Sequence, residues 1–255
     1  MGNQHVSSIK HNVTETVKGE KNTPPRAEVW RMFDRIAERY DLLNRLLSFG
    51  QDVVWRNEVA KHLTDRNDQY VLDVATGTGD LLISLILKSA KIARAVGVDM
   101  AGKMLGVGWS KMIKHTMNES VTLVRGDAVR LPCFCNTFDA VTIAFGIRNV
   151  TDVSKALSEM FRVLKSKGRV IVLEFSLPAN PVFKTVYLFY FRYILPSVGS
   201  LISGDRYAYR YLNRTVESFP YGRAFCALLE KSGFQNVYEQ PLTCGIATIY
   251  RGDKP

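Results

Sequence analysis

The sequence predicts an α/β fold: a mostly parallel seven-stranded sheet with an antiparallel edge strand and helices on both faces. Three observations carry that expectation. From Tyr70 to Phe175 short apolar strand segments alternate with helical patterns, the order that builds parallel βαβ units. The first strand runs into a glycine-bearing loop, Asp73-Val-Ala-Thr-Gly77-Thr-Gly79-Asp80, and then a helix. Two β-rich runs close the chain, joined around Pro241 and near enough in sequence to pair antiparallel at one edge.

Taken in order, residues 1–26 are polar and run into Thr23-Pro24-Pro25, so a disordered tail is expected there. One domain is expected over 27–255. Val29, Phe33, Ile36, Tyr40, Leu43 and Leu47 recur every three or four residues, one apolar stripe on a helix. Ser48-Phe49-Gly50 ends it, and a second helix near Asp52 to Leu63 follows. Together they form an N-terminal helical cap over 27–66. Strands are expected at Tyr70–Val74, Ala95–Val98, Val121–Val124, Asp139–Ala144 and Arg169–Phe175. Helices are expected at Asp80–Ala90 and Ala101–Thr116, with a third carrying Val153, Ala156, Leu157, Met160, Phe161 and Leu164 and stopping at Lys167-Gly168. A helical insertion spans 178–218. Within it, Val182 to Leu195 has near-helical apolar spacing, which reads as an amphipathic helix covering the core or as a lid. Pro220 opens a further helix that Gly233 ends. Phe234–Gln240 and Leu242–Tyr250 supply the last two strands.

Composition narrows the function classes. The 255 residues include 34 Lys and Arg against 24 Asp and Glu, a formal net charge of +10. Such a balance favours nucleic acid or an anionic membrane face. The basic residues are spread along the chain without the block that marks a nucleic-acid arm, so nucleic acid is not an expected partner. The most apolar stretch, Val182 to Ile202, is interrupted by Lys184, Arg192 and Pro196, so no transmembrane span is expected. The first residues lack the apolar core of a signal peptide. Cys133, Cys135, Cys226 and Cys244 lack the paired spacing of a zinc site and read as reduced thiols of a cytoplasmic protein. No metal is expected.

The loop after the first strand points to a nucleoside cofactor. Gly77 and Gly79 permit a sharp turn and a close backbone approach to a ligand. Asp99, 20 residues beyond Gly79, ends the second strand, where a carboxylate accepts from both ribose hydroxyls. A dinucleotide would place its pyrophosphate at the helix N-terminus and call for a third small residue. Here Leu82 and Asp80 stand instead. S-adenosylmethionine carries an amine and a sulfonium but no phosphate, so Asp73 and Asp80 favour it electrostatically. Asp127 and Ala128 end the third strand. There Asp127 either accepts from an adenine amino group or caps a turn.

Longer motifs add a family. The chain carries Phe33-Asp34-x-Ile36-Ala37-x-Arg39-Tyr40-Asp41, Asn44, Leu47-Ser48-Phe49-Gly50 and Trp55-Arg56. Further on it carries Phe145-Gly146-Ile147-Arg148-Asn149-Val150-Thr151-Asp152, Gly168-Arg169, Leu173-Glu174-Phe175-Ser176, Tyr209-x-Tyr211-Leu212 and Phe219-Pro220. In these segments, from Val29 to Gly252, it resembles the UbiE/MenG methyltransferases, which methylate a ring carbon in ubiquinone and menaquinone biosynthesis. The resemblance implies a Rossmann-like class I methyltransferase fold, S-adenosylmethionine as cofactor, and Thr78, Asp99, Asp127 and Ala128 as its contacts. Asp73, Gly77, Gly79 and Met100 complete the expected cofactor set. Two positions depart from the family: Ala144 where a serine is common, and Thr76 where a second glycine is common.

The resemblance also implies a polyprenylated hydroquinone as substrate. Arg148 and Asn149 are expected to orient the quinol oxygens and stabilise a developing phenolate; a guanidinium stays charged and is a poor base. The alternative for Arg148 is a structural salt bridge. Tyr40, Asp41, Tyr207, Tyr209 and Tyr211 are expected in the substrate wall or in the core. A lipid-soluble substrate implies peripheral contact with the inner membrane face. A homodimer or a quinone-synthesis complex stays open, as do a methyltransferase of another small-molecule or lipid class on the same fold and a nucleic-acid-binding or RNA-modifying protein.

Overall fold

The computed structural model describes residues 28–196 and 206–255, with side chains from 211 onward in the second segment. The expected tail therefore lies outside the described residues. Seven strands form one sheet in the order β3-β2-β1-β4-β5-β7-β6. They are β1 (Gln69–Val74), β2 (Ile92–Asp99), β3 (Val121–Arg125), β4 (Phe138–Ala144), β5 (Leu164–Phe175), β6 (Gln235–Leu242) and β7 (Ala247–Asp253). The pairs from β3 to β5 are parallel, and β7 runs antiparallel to both its neighbours.

Helices cover both faces because the strands are apolar on both. On one face Leu72, Val141 and Ile143 pack with Leu157 and Met160 of α5 (Val153–Val163) and with Phe225 and Leu229 of α8 (Arg223–Lys231). On the other, Val71, Ala140 and Ile171 pack with Trp55 and Val59 of α2 (Gln51–Val59), Leu82 and Leu85 of α3 (Asp80–Lys88), and Met112 of α4 (Gly102–Lys114). Strands buried on both faces carry apolar residues at successive positions, as Val71-Leu72 of β1 and Ala140-Val141 of β4 do, with Asp73 and Thr142 as buried polar exceptions.

The strand order reverses between β1 and β4, where such sheets open a crevice at their C-terminal ends. Both strands end abruptly there: Ala75 has φ 51° and Phe145 φ 56°. The two exits are tightly packed, since a Cβ added to Gly146 would stand 2.6 Å from the Cβ of Ala75.

Helix α1 (Val29–Leu47) lies across that end of the sheet, in contact with α4. Opposite it run α6 (Pro181–Phe189), a π-turn (Tyr190–Ile194) and α7 (Arg206–Ser218). Asn180 caps α6 by accepting from the amides of Val182 and Phe183. Tyr187, Phe191 and Leu195 point inward, while Val182, Val186, Phe189 and Tyr193 are exposed. Val182–Leu195 therefore covers the core with one apolar side while much of its outer side is apolar as well, and Val186 and Ile194, read from their spacing as part of the inner stripe, are exposed.

Two boundaries differ from the sequence expectation. The helix before β5 stops at Val163 rather than at Lys167-Gly168. Leu164, read as helical from its spacing, pairs with Phe138 and opens the strand. The following bulge puts Lys167 at φ 61° and is pinned by Lys167 and Gly168 bonding to the backbone of Lys254. The last hairpin does not turn at Pro241. Pairing continues through Pro241↔Thr248 and Leu242↔Ala247, and the turn is Thr243–Gly245. β6 is the sheet edge, where the missing amide of proline costs no ladder bond.

Gly146→Ala is expected to destabilise the protein by about 1–3 kcal/mol through overpacking at the strand exits. The urea midpoint checks it; an unchanged midpoint would mean that the Ala75 turn yields freely.

Candidate active site

Two cavities open at the C-terminal ends of the strands. One, of about 380 Å³, is lined by Gly77, Asp99, Met100, Asp127, Ala128, Ala144 and Asn149, and by Trp30, Phe33 and Tyr40 of α1. The other, of about 260 Å³, lies between α1, α2 and the α6–α7 layer; Asp52, Trp55, Arg56, Phe145, Arg148 and Phe175 line its inner end. Phe33, Tyr40 and Phe145 line both cavities.

The first cavity has the features of a nucleoside site. Asp99 accepts from the amides of Gly77 and Ala101, each at 2.8 Å. Burial raises its carboxyl above the ordinary value despite those bonds. Each carboxylate oxygen has a second acceptor position, so Asp99 can still receive two ribose hydroxyls. Gly77, at φ 57°, has nothing within 4 Å of where a Cβ would stand, so its backbone is bare toward a ligand. Asp127 uses Oδ1 to accept from the amide of Val129 at 3.1 Å and lines the cavity as well, so the turn and the cavity readings coexist. Ala144 lines the cavity without a polar atom to offer. Beside it the buried Oδ1 of Asn149 has no protein partner among the described residues.

Other expected cofactor residues stand behind that lining. Gly79 is the left-handed N-cap of α3. The hydroxyl of Thr78, itself buried, donates to Asp41 at 2.6 Å. Asp41 also pairs with Lys111 at 2.5 Å, and Lys111 with Asp80. Arg45 approaches Asp80 from α1 at 3.3 Å. Asp80 is therefore neutralised by two cations, and Asp41 serves as a strut between α1 and the loop rather than as cavity wall. Burial works to raise the Asp80 carboxyl, yet Lys111 beside it holds it below the usual range. Asp73 is wholly buried at the end of β1, where it accepts from Thr142 at 2.7 Å. Burial pushes its carboxyl from 3.8 up to about 7.

The second cavity is a slot of rings with two embedded ion pairs. Trp55, Phe145 and Phe175 cluster, with 4.6 Å between the two Phe centroids. Arg56 stacks over Phe145 and pairs with Asp52 one turn away on α2. Arg148 stacks over Phe175, donates to the carbonyl of Phe145 at 2.6 Å, and pairs with Glu174 at 2.5 Å. Its buried Nε has no partner among the described residues. Arg148 and Asn149, adjacent in sequence, thus serve different cavities. Tyr40 stands at the junction, its phenol raised by burial, and Tyr211 lines the second cavity. The side chains of Tyr207 and Tyr209 lie outside the described residues.

Sequence reasoning gave no role to Glu174, Asp52 or Arg56. Glu174 had a signal: a carboxylate inside an apolar strand needs a buried counter-charge. Asp52 and Arg56 stand at i and i+4 on a helix, the spacing of a facing pair.

The chain was also compared with known proteins. The profile of the ubiE/COQ5 methyltransferase family matches residues 17–254. A demethylmenaquinone methyltransferase of Thermus thermophilus is 46% identical over 224 residues, covering 88% of this chain and 100% of the relative. The ubiquinone/menaquinone biosynthesis C-methyltransferase UbiE of Geotalea daltonii is 42% identical over 239 residues, covering 94% and 98%. Among solved structures, a SAM-dependent methyltransferase of Thermotoga maritima superposes with a TM-score of 0.63 at 18% identity, covering 89% of this chain and 99% of that one. Phosphoethanolamine N-methyltransferase 2 of Haemonchus contortus, solved with S-adenosylmethionine, gives 0.58 at 16% identity, covering 78% and 52%.

The raised Asp73 carboxyl sets a pH dependence. Between about 4 and about 7 the folded chain holds a proton that the unfolded chain releases, so this group's contribution to stability falls as pH rises through that window. Relative to Asp73→Asn, the wild type is expected to lose about 2–3 kcal/mol between about pH 5 and about pH 8. Urea unfolding of both proteins checks it; parallel pH curves would overturn it.

Proposed function

The chain belongs to the ubiE/COQ5 methyltransferase family, and on that premise we propose that its two abutting cavities bring S-adenosylmethionine and a polyprenylated 1,4-quinol together for methylation of the ring carbon. The observation that carries this reading is the shared wall of Phe33, Tyr40 and Phe145. A polar, acid-bearing cavity and an apolar one meet there, so reactants in each would be held side by side.

Asp99 would hold the cofactor's ribose, and Asp127 and Ala128 its base; Gly77 and Met100 would shape the rest of the cavity. Asp73, Thr78 and Gly79 would act from behind, by fixing the loop. When bound, S-adenosylmethionine supplies an electrophilic methyl on a cationic sulfur. The aromatic slot would receive the quinol ring. Arg148, with its free Nε and its charge balanced by Glu174, stabilises negative charge developing on a ring oxygen. Asn149 reaches the same reaction from the cofactor side.

The polyprenyl tail and its membrane would meet the rim of the second cavity. Phe49, 77% exposed, rests on Tyr190, which lines that cavity. Around it Leu42, Leu46 and Val54 stay exposed on α1 and α2, as do Val182, Val186, Phe189 and Tyr193 on the opposite layer. No helix among the described residues is long and apolar enough to cross a membrane, and the contact proposed here is a peripheral one. Apolar side chains at the interface, together with Arg45 and Lys184, suit an anionic bilayer surface.

A labelled-methyl assay is expected to show transfer from S-adenosylmethionine to demethylmenaquinol or to its benzoquinol counterpart, offered side by side. Cofactor binding without transfer to either quinol would overturn the substrate assignment. Sedimentation with anionic liposomes is expected to carry the wild type down, and Phe49→Ser with Phe189→Ser to weaken that binding by about tenfold or more. Equal sedimentation of the two proteins would remove this face from the membrane contact.

A further inference from the structure

Methylation of a quinol carbon needs more than alignment. The ring becomes nucleophilic as a hydroxyl proton leaves, so a proton acceptor must stand in the substrate cavity. Most of the titratable groups lining it are unsuited. Arg56 and Arg148 stay charged and have no acceptor. Burial raises the phenols of Tyr40, Tyr187 and Tyr190, which keeps them protonated, and Tyr190 already donates its hydroxyl to the carbonyl of Leu47 at 2.9 Å. Glu174 does not line the cavity, and both its oxygens are engaged: Oε1 by Arg148 and the Phe175 amide, Oε2 by the Arg148 amide. Among the lining residues one carboxylate remains, that of Asp52.

We propose that Asp52 is the proton acceptor for one hydroxyl of the quinol. This rests on the substrate assignment made above. Asp52 is 3% exposed at the start of α2. Its Oδ1 accepts from the Ser48 hydroxyl at 2.8 Å, and Ser48 Oγ accepts in return from the Asp52 amide at 3.2 Å. Its Oδ2 pairs with Arg56. Each oxygen keeps one acceptor site, so the carboxylate is oriented on both sides without being saturated.

The placement suits a ring with two para oxygens. The two arginine–carboxylate pairs flank the aromatic cluster, Arg56–Asp52 beside Phe145 and Arg148–Glu174 beside Phe175. One pair presents a carboxylate to the cavity, and the other contributes a guanidinium to its lining. Asp52 then serves the oxygen that loses its proton, and Arg148 the other.

The step balances as follows. The quinol O–H bond breaks, its proton passes to Asp52, and its electron pair stays on the ring oxygen. The neighbouring ring carbon uses that density to form the carbon–methyl bond, while the methyl–sulfur bond of the donor breaks and leaves its pair on sulfur. The methylated carbon then gives up its hydrogen as a proton to water, and Asp52 returns its own proton to the ring oxygen.

The test is the pH dependence of turnover with demethylmenaquinol. The charged and titratable groups sharing the cavity are Tyr40 from α1, Arg56 from α2, Arg148 after β4, Tyr187 and Tyr190 from the opposite layer, and Tyr211 from α7. Asp52→Asn is expected to lower kcat about 100- to 10,000-fold, to leave KM little changed, and to abolish the fall of kcat on the acid side. A quinol bearing an electron-withdrawing substituent ionises more readily and is expected to restore part of the lost rate. Should the single variant not fold because Arg56 is left unpaired, Asp52→Asn with Arg56→Met removes both charges and carries the same expectation. Near-wild-type turnover in the folded variant overturns the proposal. So does a loss of kcat that keeps the acid limb and is not eased by the activated quinol, since that marks a structural role. A wild type that binds S-adenosylmethionine but methylates no quinol overturns the substrate assignment itself and is told apart by needing no variant.

Discussion

The geometry of both cavities depends on how the chain leaves β4. Phe145 turns into the left-handed region at φ 56°, which costs a bulky residue on the order of 1–3 kcal/mol. The turn is held on every side. The Phe145 amide donates to the carbonyl of Leu173 at 2.8 Å, while its carbonyl accepts from Arg148 at 2.6 Å and from Asn149 at 3.4 Å. Its ring is thereby driven between the two cavities and against Trp55 and Phe175. The same short turn sends Arg148 to one side of that ring and Asn149 to the other. A more extended exit from β4 would leave neither a partition nor two separately addressed side chains.

Helix α1 is the second shared element. It walls both cavities, and three of its polar side chains are tied to the sheet end. Asp34 caps the amide of Lys103 at 2.8 Å, Asp41 joins Thr78 and Lys111, and Arg45 reaches Asp80. Thr78 lies in the glycine loop after β1, so a half-buried network ties that loop to the cap. Exposed pairs are worth little singly, but members of a connected network orient one another, and here the connection runs from the glycine loop to the helix that lines both cavities. The two cavities thus share α1 as well as Phe145 as a common wall.

Much of this was legible in the sequence, for identifiable reasons. Strand–helix alternation and buried apolar runs place β1 to β5, because burial on both faces leaves little choice of residue. Gly77, Asp99 and Asp127 are found where spacing puts them, since strand ends fix those positions locally. The boundary at Leu164 was misread because a buried leucine fits a helical stripe and a strand start equally well. The last hairpin was misread because Pro241 signals a turn, although a sheet edge tolerates it. The charge argument from Asp80 also changes: Lys111 and Arg45 offset that carboxylate, and sequence proximity cannot reveal partners 31 and 35 residues away. Glu174 and Asp52 went unassigned for a related reason. Their meaning depends on which side chains cover them, and that is settled by packing between distant segments.

The paired charges in an otherwise apolar slot follow from the substrate that the slot would receive. A neutral quinol ring favours an apolar wall, and an isolated buried charge there would cost several kcal/mol or more. Two arginines balanced by two carboxylates leave the slot nearly neutral overall, so a neutral ring enters without facing a net field. The field becomes useful only when charge separates within the ring. As negative charge gathers on an oxygen, a guanidinium at low dielectric stabilises it far more than water-exposed lysines would. Because the arginines are already fixed by Glu174, Asp52 and the aromatic faces, little reorganisation accompanies that moment. The ion pairs thus reconcile two demands that conflict in an apolar cavity: admitting an uncharged lipid-like ring, and stabilising the charged form through which that ring reacts.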